Sequence, residues 1–544
     1  MSLADAIRPR LRLNGQHQVS LARWHVGNRK LAQVVGLAVV AVVMIPVVYL
    51  VIGAISADQE GLEYLLRART ARIVGNSVGL MLATTLCATA IAIPFAWLTS
   101  RTDLPGQRAW LVFGLAAMVI PSYLTAVTYA EAFGPRGILQ SLLAPFGVER
   151  LPGIRGFFGA TLTITFVTFP YIVLPLRAAL LHCDRSLEEA GQSLGLNRWQ
   201  VFRQITLPQL RPALSAGTLM TALYTLSDFG AVAVMHFNAF TRAIFIQTAS
   251  FRMDNASMLA LLLIALTAAL LLLRSWQRHR GRHYRIGVGA QRHLEAIPLG
   301  KWKFPALIFC GAVVFTGVGI PVLVLFKWLA GHIITNPIQV PMTLLMRNTI
   351  GVSAVSALVV TIAAFPLALL ATRGTSRFNR WLVNAAYAGN VLPGIVIALA
   401  LVMFATRNLM SIYQTLPLLI IGYSIRYLPF SIGATESAFA QINPRFEEVA
   451  RSLGLSPWAA LARITVPLAR GGILAGLALV FLNVMKELPT TLILRPIGFR
   501  TFATRIWSSY DEAFLSSIAL PGLVLILVSA FALALILRRE EALG

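Results

Sequence analysis

The sequence predicts an all-α membrane protein with about twelve transmembrane helices, arranged as two homologous halves of the same topology. Three observations predict it. Of 544 residues, 57% are hydrophobic and 12% charged, with a mean hydropathy of +0.73, whereas a soluble chain carries about 25% charged residues. Apolar runs of about 20 residues, the length that crosses a bilayer as a helix, recur from end to end. Landmarks of the first half also return in the second. Asn76, Pro94, Arg101 and Pro121 recur 272 residues later as Asn348, Pro366, Arg373 and Pro393, and Pro170 recurs 259 residues later as Pro429. A repeat on this scale is an architectural signal. The change of spacing fits a longer outer loop around 134–156 in the first half.

By length and hydropathy the expected spans are 31–53, 73–99, 109–133, 157–181, 212–235 and 256–273, then 304–328, 346–372, 381–405, 414–437, 471–495 and 515–537. With both termini in the cytoplasm, the cytoplasmic segments hold 29 Lys and Arg residues and the outer side 14, the bias that orients polytopic proteins. The resulting units are 1–273, a basic cytoplasmic linker 274–303, and 304–544. Equal topology makes the halves parallel repeats about an axis along the membrane normal, with a translocation path expected on that axis.

The net charge of +25 raises nucleic acid as a partner, but the basic residues sit in short loops and form no basic soluble domain. The linker histidines His279, His283 and His293 read as part of a solvated basic stretch facing anionic lipid. Three cysteines make neither a disulfide framework nor a metal site. The first 30 residues are basic and polar and do not read as a cleavable signal peptide, so the first apolar run is expected to be an uncleaved anchor.

The best-matched segments follow the fourth span of each half. "EEAGQSLGLNRWQVFRQITLP" runs from Glu188 to Pro208 and "EEVARSLGLSPWAALARITVP" from Glu447 to Pro467, with 10 of 21 positions identical. Both fall on the cytoplasmic side. Each reads as two short helices joined at a permissive glycine, Gly195 or Gly454. Ser186 and Asn443 are candidate caps for the first helix, and Asn197 and Ser456 for the second. A capped, folded bracket is more than a connector needs, and it suits docking to a rigid partner.

These segments resemble the coupling-loop motif of binding-protein-dependent ABC importer permeases. The motif has a Glu-Ala-Ala-like start, a glycine after a short spacing and an Ile-x-Leu-Pro-like end. Copy one departs from it with Gly191, and copy two with Val449 and Val466. The resemblance implies the type I ABC importer permease fold, with coupling loops at 184–208 and 443–467. It implies ATPase contact through Glu188, Glu189, Gly195, Leu196 and Pro208, and through Glu447, Glu448, Gly454, Leu455 and Pro467. The implied partners are a homodimer of ATP-binding subunits at the cytoplasmic face and a substrate-binding protein at the outer face, in a bacterial inner membrane. Outer loops 134–156, 236–255 and 496–514 are expected to form the outer platform. No G-x-x-x-x-G-K-[ST] occurs, so ATP and Mg²⁺ are expected in the partner, with no cofactor and no enzyme activity in this chain.

Ionisable residues inside the membrane are functional candidates by default. Asp228, Arg426, Lys486 and Glu487 stand out, with Asp228 and Glu487 at equivalent positions 259 residues apart. Along continuous helices, Arg426 and Glu487 would differ in depth by about 8 Å. The stretches "MKELPTTLILRPIGFRTFATRIW" from Met485, "DFGAVAVMHFNAFTRAIF" from Asp228 and "IRYLPFSIGATESAFAQINPRFEEVARSLG" from Ile425 resemble ferric-iron importer permeases. Fe(III) prefers oxygen donors, which makes Asp228 and Glu487 candidate transient ligands. Thiamine, polyamine or phosphonate permeases of similar build, and an ion-coupled secondary transporter, are the alternatives. Tyr129, Tyr224, Tyr387, Tyr423 and Tyr427 also lie in spans, where tyrosines ordinarily pack.

Overall fold

The computed structural model describes residues 26–55, 59–183, 185–279, 296–335, 341–374 and 376–541. Most of the linker and Asp184 lie outside these residues. Among them nine helices are long and apolar enough to cross a membrane, or eleven if two sharply bent pairs each count as one span. The remaining expected span, 212–235, falls on Leu207–Ser227 and the short Gly230–Val234. Polar residues such as Gln209, Arg211 and Ser215 lower the apolar content of Leu207–Ser227.

The bends and breaks have local causes. Gln107–Val119 meets Ser122–Ala132 at 101°, and Arg377–Gly389 meets Gly394–Asn408 at 102°. Pro121 and Pro393 sit at these corners and supply no N–H for a continuing helix. Ile120, just before Pro121, is extended, as that position favours. Expected spans 212–235 and 471–495 are also broken rather than continuous. Val466–Met485 stops where the next ladder bond to Met485 would need the absent N–H of Pro489, which opens Pro489–Leu494. Asp228 ends Leu207–Ser227 in an extended conformation, and its Oδ2 accepts from the Ala231 amide at 2.8 Å. The side chain therefore starts the next short helix.

Each half is built on a tight three-helix core. Ala68–Arg101 packs with Phe157–Leu181 and Leu207–Ser227, and Met342–Arg373 packs with Leu416–Gln441 and Val466–Met485. Lipid supplies no hydrophobic drive between helices, so small residues and close contact do. A Cβ at Gly217 would lie 2.7 Å from Ile172 Cα. Its repeat partner Gly476 admits Ala434 and Ser431 in the same way.

The first helix of each half crosses to the other. Val26–Ile55 packs on Met342–Arg373, Arg377–Ala386 and Gly394–Asn408 as well as Met253–His279. Gln33 Nε2 donates to Asn379 Oδ1 at 2.7 Å. Ile320–Thr335 packs in return on Ser122–Ala132, with Lys327 Nζ 2.9 Å from Glu131 Oε1. The halves are thereby held as one body.

The end of the linker is clipped to the first core. Ile297 N donates to Arg101 O at 2.8 Å, and Asp103 N donates to Ile297 O at 3.1 Å. Asp103 Oδ1 accepts from Leu299 N at 2.8 Å, and Lys303 Nζ lies 2.7 Å from Asp103 Oδ2. Lys303, then the Leu299 amide, hold the Asp103 carboxyl below its ordinary 3.8. A carboxyl depressed in the folded state contributes stability above its unfolded value and loses it as pH falls through the folded one. The clip is therefore expected to loosen only in acid below pH 3.8. The protection factor of the Leu299 amide, its exchange relative to the intrinsic rate at each pH, checks this, and a protection factor unchanged through pH 3.8 and below would contradict it.

Candidate functional site

Two features carry the chemistry: a pair of brackets at one end of the bundle and a cavity between the halves. In the first bracket Arg185–Ser193 leads to a turn at Gly195 (φ +87°), and in the second Arg445–Ser452 leads to Gly454 (φ +91°). Only glycine adopts this left-handed conformation without a steric cost. Asn197 Oδ1 accepts from Gln200 N at 2.9 Å while Gln200 Oε1 accepts from Asn197 N at 2.9 Å, a reciprocal cap. Ser456 Oγ accepts from Ala459 N at 3.2 Å, and Asn443 Oδ1 accepts from Arg445 N at 3.0 Å. The side chain of Ser186 lies outside the described residues. One π-helical turn follows in each copy, at Phe202–Thr206 and Leu461–Thr465. Pro208 and Pro467 then fall in the first turn of the re-entering helix.

The bracket glutamates differ in direction. Glu188 and Glu447 do not point out toward a partner. Arg101 Nη2 lies 2.6 Å from Glu188 Oε2, and Arg373 Nη2 lies 3.2 Å from Glu447 Oε1. Thr206 donates to Glu188 at 2.9 Å and Thr465 to Glu447 at 2.8 Å. Each bracket is thus bolted to the C-terminal end of its own core helix. The brackets expose large apolar side chains, Leu187, Leu194 and Trp199 in one and their repeat partners Phe446, Leu453 and Trp458 in the other, and Glu189 is exposed beside them.

The cavity lies at the helix breaks of both halves. It encloses about 80 Å³ and is lined by Asp228, Arg426, Lys486 and Glu487 together with Tyr224, Tyr427 and Asn483. All four ionisable residues singled out from the sequence converge on one space from both halves. Glu487 Oε2 accepts from Tyr427 Oη at 2.5 Å and lies 3.5 Å from Arg426 Nε. Glu487 Oε1 accepts from Thr490 Oγ1 at 2.7 Å. Across the expected difference in depth the Arg426 and Glu487 side chains meet at 3.5 Å, with Glu487 in the break between Val466–Met485 and Pro489–Leu494. Asp228 accepts from the Ser122 hydroxyl and the Ala231 amide. Lys486 Nζ donates across the interface to Met118 O at 3.0 Å. Arg426 Nη1 is buried without a hydrogen-bond partner. Among the described residues no three His, Cys, Asp or Glu side chains gather in a group able to hold a metal ion.

Residues 27–285 and 364–540 match the family described as binding-protein-dependent transport system inner membrane component. The chain belongs to that family. This permease is 29% identical over 491 residues to the Fe(3+)-transport system permease protein FbpB 2 of Haemophilus influenzae, covering 89% of this chain and 93% of that protein. It is 26% identical over 516 residues to the probable ABC transporter permease protein y4fN of Sinorhizobium fredii, covering 89% and 90%. A shorter match, 29% over 200 residues, links it to the sulfate transport system permease protein CysT of Escherichia coli, covering 36% of this chain and 70% of that one. As an inner-membrane component of a binding-protein-dependent system, the permease works with an ABC ATPase and a substrate-binding protein.

Sequence reasoning missed several residues of the permease's cavity. Tyr224 and Tyr427 line it rather than merely packing, whereas Tyr423 bonds to Thr491 and Tyr129 to Thr316 O. Ser122 and Thr490 hold the two carboxylates, and Ser122 was detectable as the residue after the repeated Pro121. Glu436 in Leu416–Gln441, which accepts from Tyr387 at 3.3 Å, was passed over among the intramembrane charges. It stands at the repeat position of Arg177.

Proposed function

We propose that this permease imports ferric iron delivered by an outer binding protein, driven by two identical ATPase subunits that bind ATP and Mg²⁺, one docked on each bracket. The carrying observation is that Asp228 and Glu487, at equivalent positions of the two halves, line one cavity between them. The name of the Haemophilus relative supports iron, and carboxylate oxygen suits a hard trivalent cation. A path must bind weakly enough to release, so Arg426 and Lys486 offset the carboxylates and keep the attraction modest. The Lys and Arg distribution supports both termini in the cytoplasm. The outer arginines, among them Arg136, Arg150, Arg155, Arg242, Arg500 and Arg505, suit an acidic docking partner.

A second reading has its own observation. The unpartnered Nη1 of Arg426 would suit an oxyanion cargo, which the likeness to a sulfate permease supports. Uptake into proteoliposomes holding the permease, its ATPase and its binding protein separates the two. ATP-dependent accumulation of iron but not sulfate is expected, and sulfate uptake without iron uptake would replace the first reading.

The bracket role has a separate test. Gly195→Val combined with Gly454→Val forces β-branched residues into left-handed turns, at roughly 1–2 kcal/mol each. The exposed apolar pairs then lose their shared geometry. The permease is expected to insert normally but to bind and stimulate its ATPase poorly in co-purification and hydrolysis assays. Normal coupling in the double variant would rule out docking through the brackets.

A further inference from the structure

The end of the bundle opposite the brackets carries a second, larger cavity of about 360 Å³. Its polar lining comprises Tyr64, Arg69, Arg72, Asn76, Asn238 and Gln247, over an apolar floor that includes Ile73 and Ile246. Arg69 and Arg72 stand in the first two turns of Ala68–Arg101, where the helix end adds partial positive charge. Both arginines are exposed, and neither forms an ion pair among the described residues. Asn76 is committed to the scaffold, donating to Asn238 O at 3.0 Å.

Gln247 is the unusual member. It is 7% exposed, its Nε2 donates to Tyr64 Oη at 3.3 Å, and its Oε1 has no partner. Leaving a buried polar atom unpaired costs free energy, so such an atom beside a cavity calls for a ligand group.

The repeat supplies an internal comparison. The scaffold recurs in the second half: Asn348 donates to Arg500 O at 3.0 Å as Asn76 does to Asn238 O. Phe502 N donates to Thr349 at 3.0 Å as Phe240 N does to Ser77. The ligand-facing residues do not recur. Pro341 and Leu344 stand at the repeat positions of Arg69 and Arg72, and Ser509, at that of Gln247, is paired with Ser517 at 2.9 Å. The fold therefore has no need of the two arginines or the glutamine.

We infer that this cavity is a phosphate-group site in which Arg69 and Arg72 pair with anionic oxygens and a donor on the same ligand satisfies Gln247 Oε1. Guanidinium groups match phosphate oxygens in bidentate geometry. Phosphate groups that also carry a donor include the phosphoethanolamine lipid headgroup, through its ammonium, and hydrogen phosphate, through its hydroxyl. The exposed Leu66, Leu82 and Leu86 on the adjoining helices set the cavity at the lipid boundary, within reach of both sources.

The test uses full-length permease and two probes. Native mass spectrometry after exposure to equal phosphatidylethanolamine and phosphatidylcholine reads lipid retention. Thermal unfolding of delipidated permease in inorganic phosphate, against chloride at matched ionic strength, reads the free anion. Arg69→Gln with Arg72→Gln is expected to lower retention or phosphate affinity by about tenfold or more. Gln247→Leu is expected to abolish the preference for the ethanolamine headgroup, or to weaken phosphate binding. Arg347→Gln, an exposed arginine at the corresponding end of the second half, should change neither. A response in the first arm alone assigns the site to lipid, and in the second alone to phosphate. No change in either arm, an equal effect from Arg347→Gln, or an effect confined to binding-protein affinity would overturn the inference.

Discussion

Asp228→Asn is expected to cut substrate flux by roughly tenfold or more while the permease still inserts and assembles with its ATPase. The reason lies in how the two cavity carboxylates are held. Asp228 receives only neutral donors, the Ser122 hydroxyl and the Ala231 amide, and among the described residues it forms no ion pair. Asn keeps the size and can keep both bonds, with the serine hydroxyl turning to accept. The exchange therefore removes a charge without stranding a cation. At an effective dielectric constant of about 20 and roughly 5 Å, that charge contributes about 3 kcal/mol per unit of cation charge.

Glu487→Gln behaves differently. Glu487 lies 3.5 Å from Arg426 Nε, with side-chain exposures of 6% and 21%. Removing the partner of a buried cation costs about 3–5 kcal/mol, so folded yield falls together with flux. Size-exclusion profiles and thermal unfolding report the fold, and proteoliposome uptake and basal ATP hydrolysis report the function. The separation is the expected result: Asp228→Asn loses flux alone, and Glu487→Gln loses both. Wild-type flux in the double variant would remove both residues from the path.

Part of this arrangement was legible in the sequence and part was not, for physical reasons. The brackets were readable because a glycine turn, caps and a duplicated spacing are local signals. The four charged residues were readable because ionisable groups stand out against apolar runs. The breaks beside them were not, because hydropathy counts composition and ignores the side-chain bond from Asp228 to Ala231 N and the missing N–H of Pro489. The inward turn of Glu188 and Glu447 depended on Arg101 and Arg373. Their recurrence was visible, but nothing in the sequence joins them to glutamates more than 70 residues away. The exchange of first helices left no mark, since Val26–Ile55 is apolar on every side beyond Gln33 and its pattern does not distinguish one half's surface from the other's.

The two halves of the cavity differ by an exchange of volume, and that exchange predicts a rescue. Ser122 donates to Asp228, and the position 272 residues on from Ser122 is Gly394, beside the longer Glu487. A Cβ at Gly394 would stand 2.5 Å from Glu487 Oε1 and 2.7 Å from Thr490 Oγ1, and closer still to Arg426 Nη1. The extra methylene of Glu487 thus occupies the space that the serine side chain fills in the first half. Gly394→Ser is expected to drive Glu487 off Thr490 and Arg426. Overpacking contributes about 1–3 kcal/mol, and the stranded guanidinium adds to it, so both stability and flux collapse. Glu487→Asp alone opens a gap and lengthens the reach to Arg426, which is also destabilising. Together the two changes rebuild the serine–aspartate pair of the first half, so the double variant is expected to be more stable than the sum of its parts by about 0.5–3 kcal/mol. Arg426 limits the recovery, because Val167 holds its place in the first half, and adding Arg426→Val should raise the unfolding midpoint further. Thermal unfolding of all single and combined variants closes the cycle. Additive losses would mean that residues 394 and 487 do not share the space.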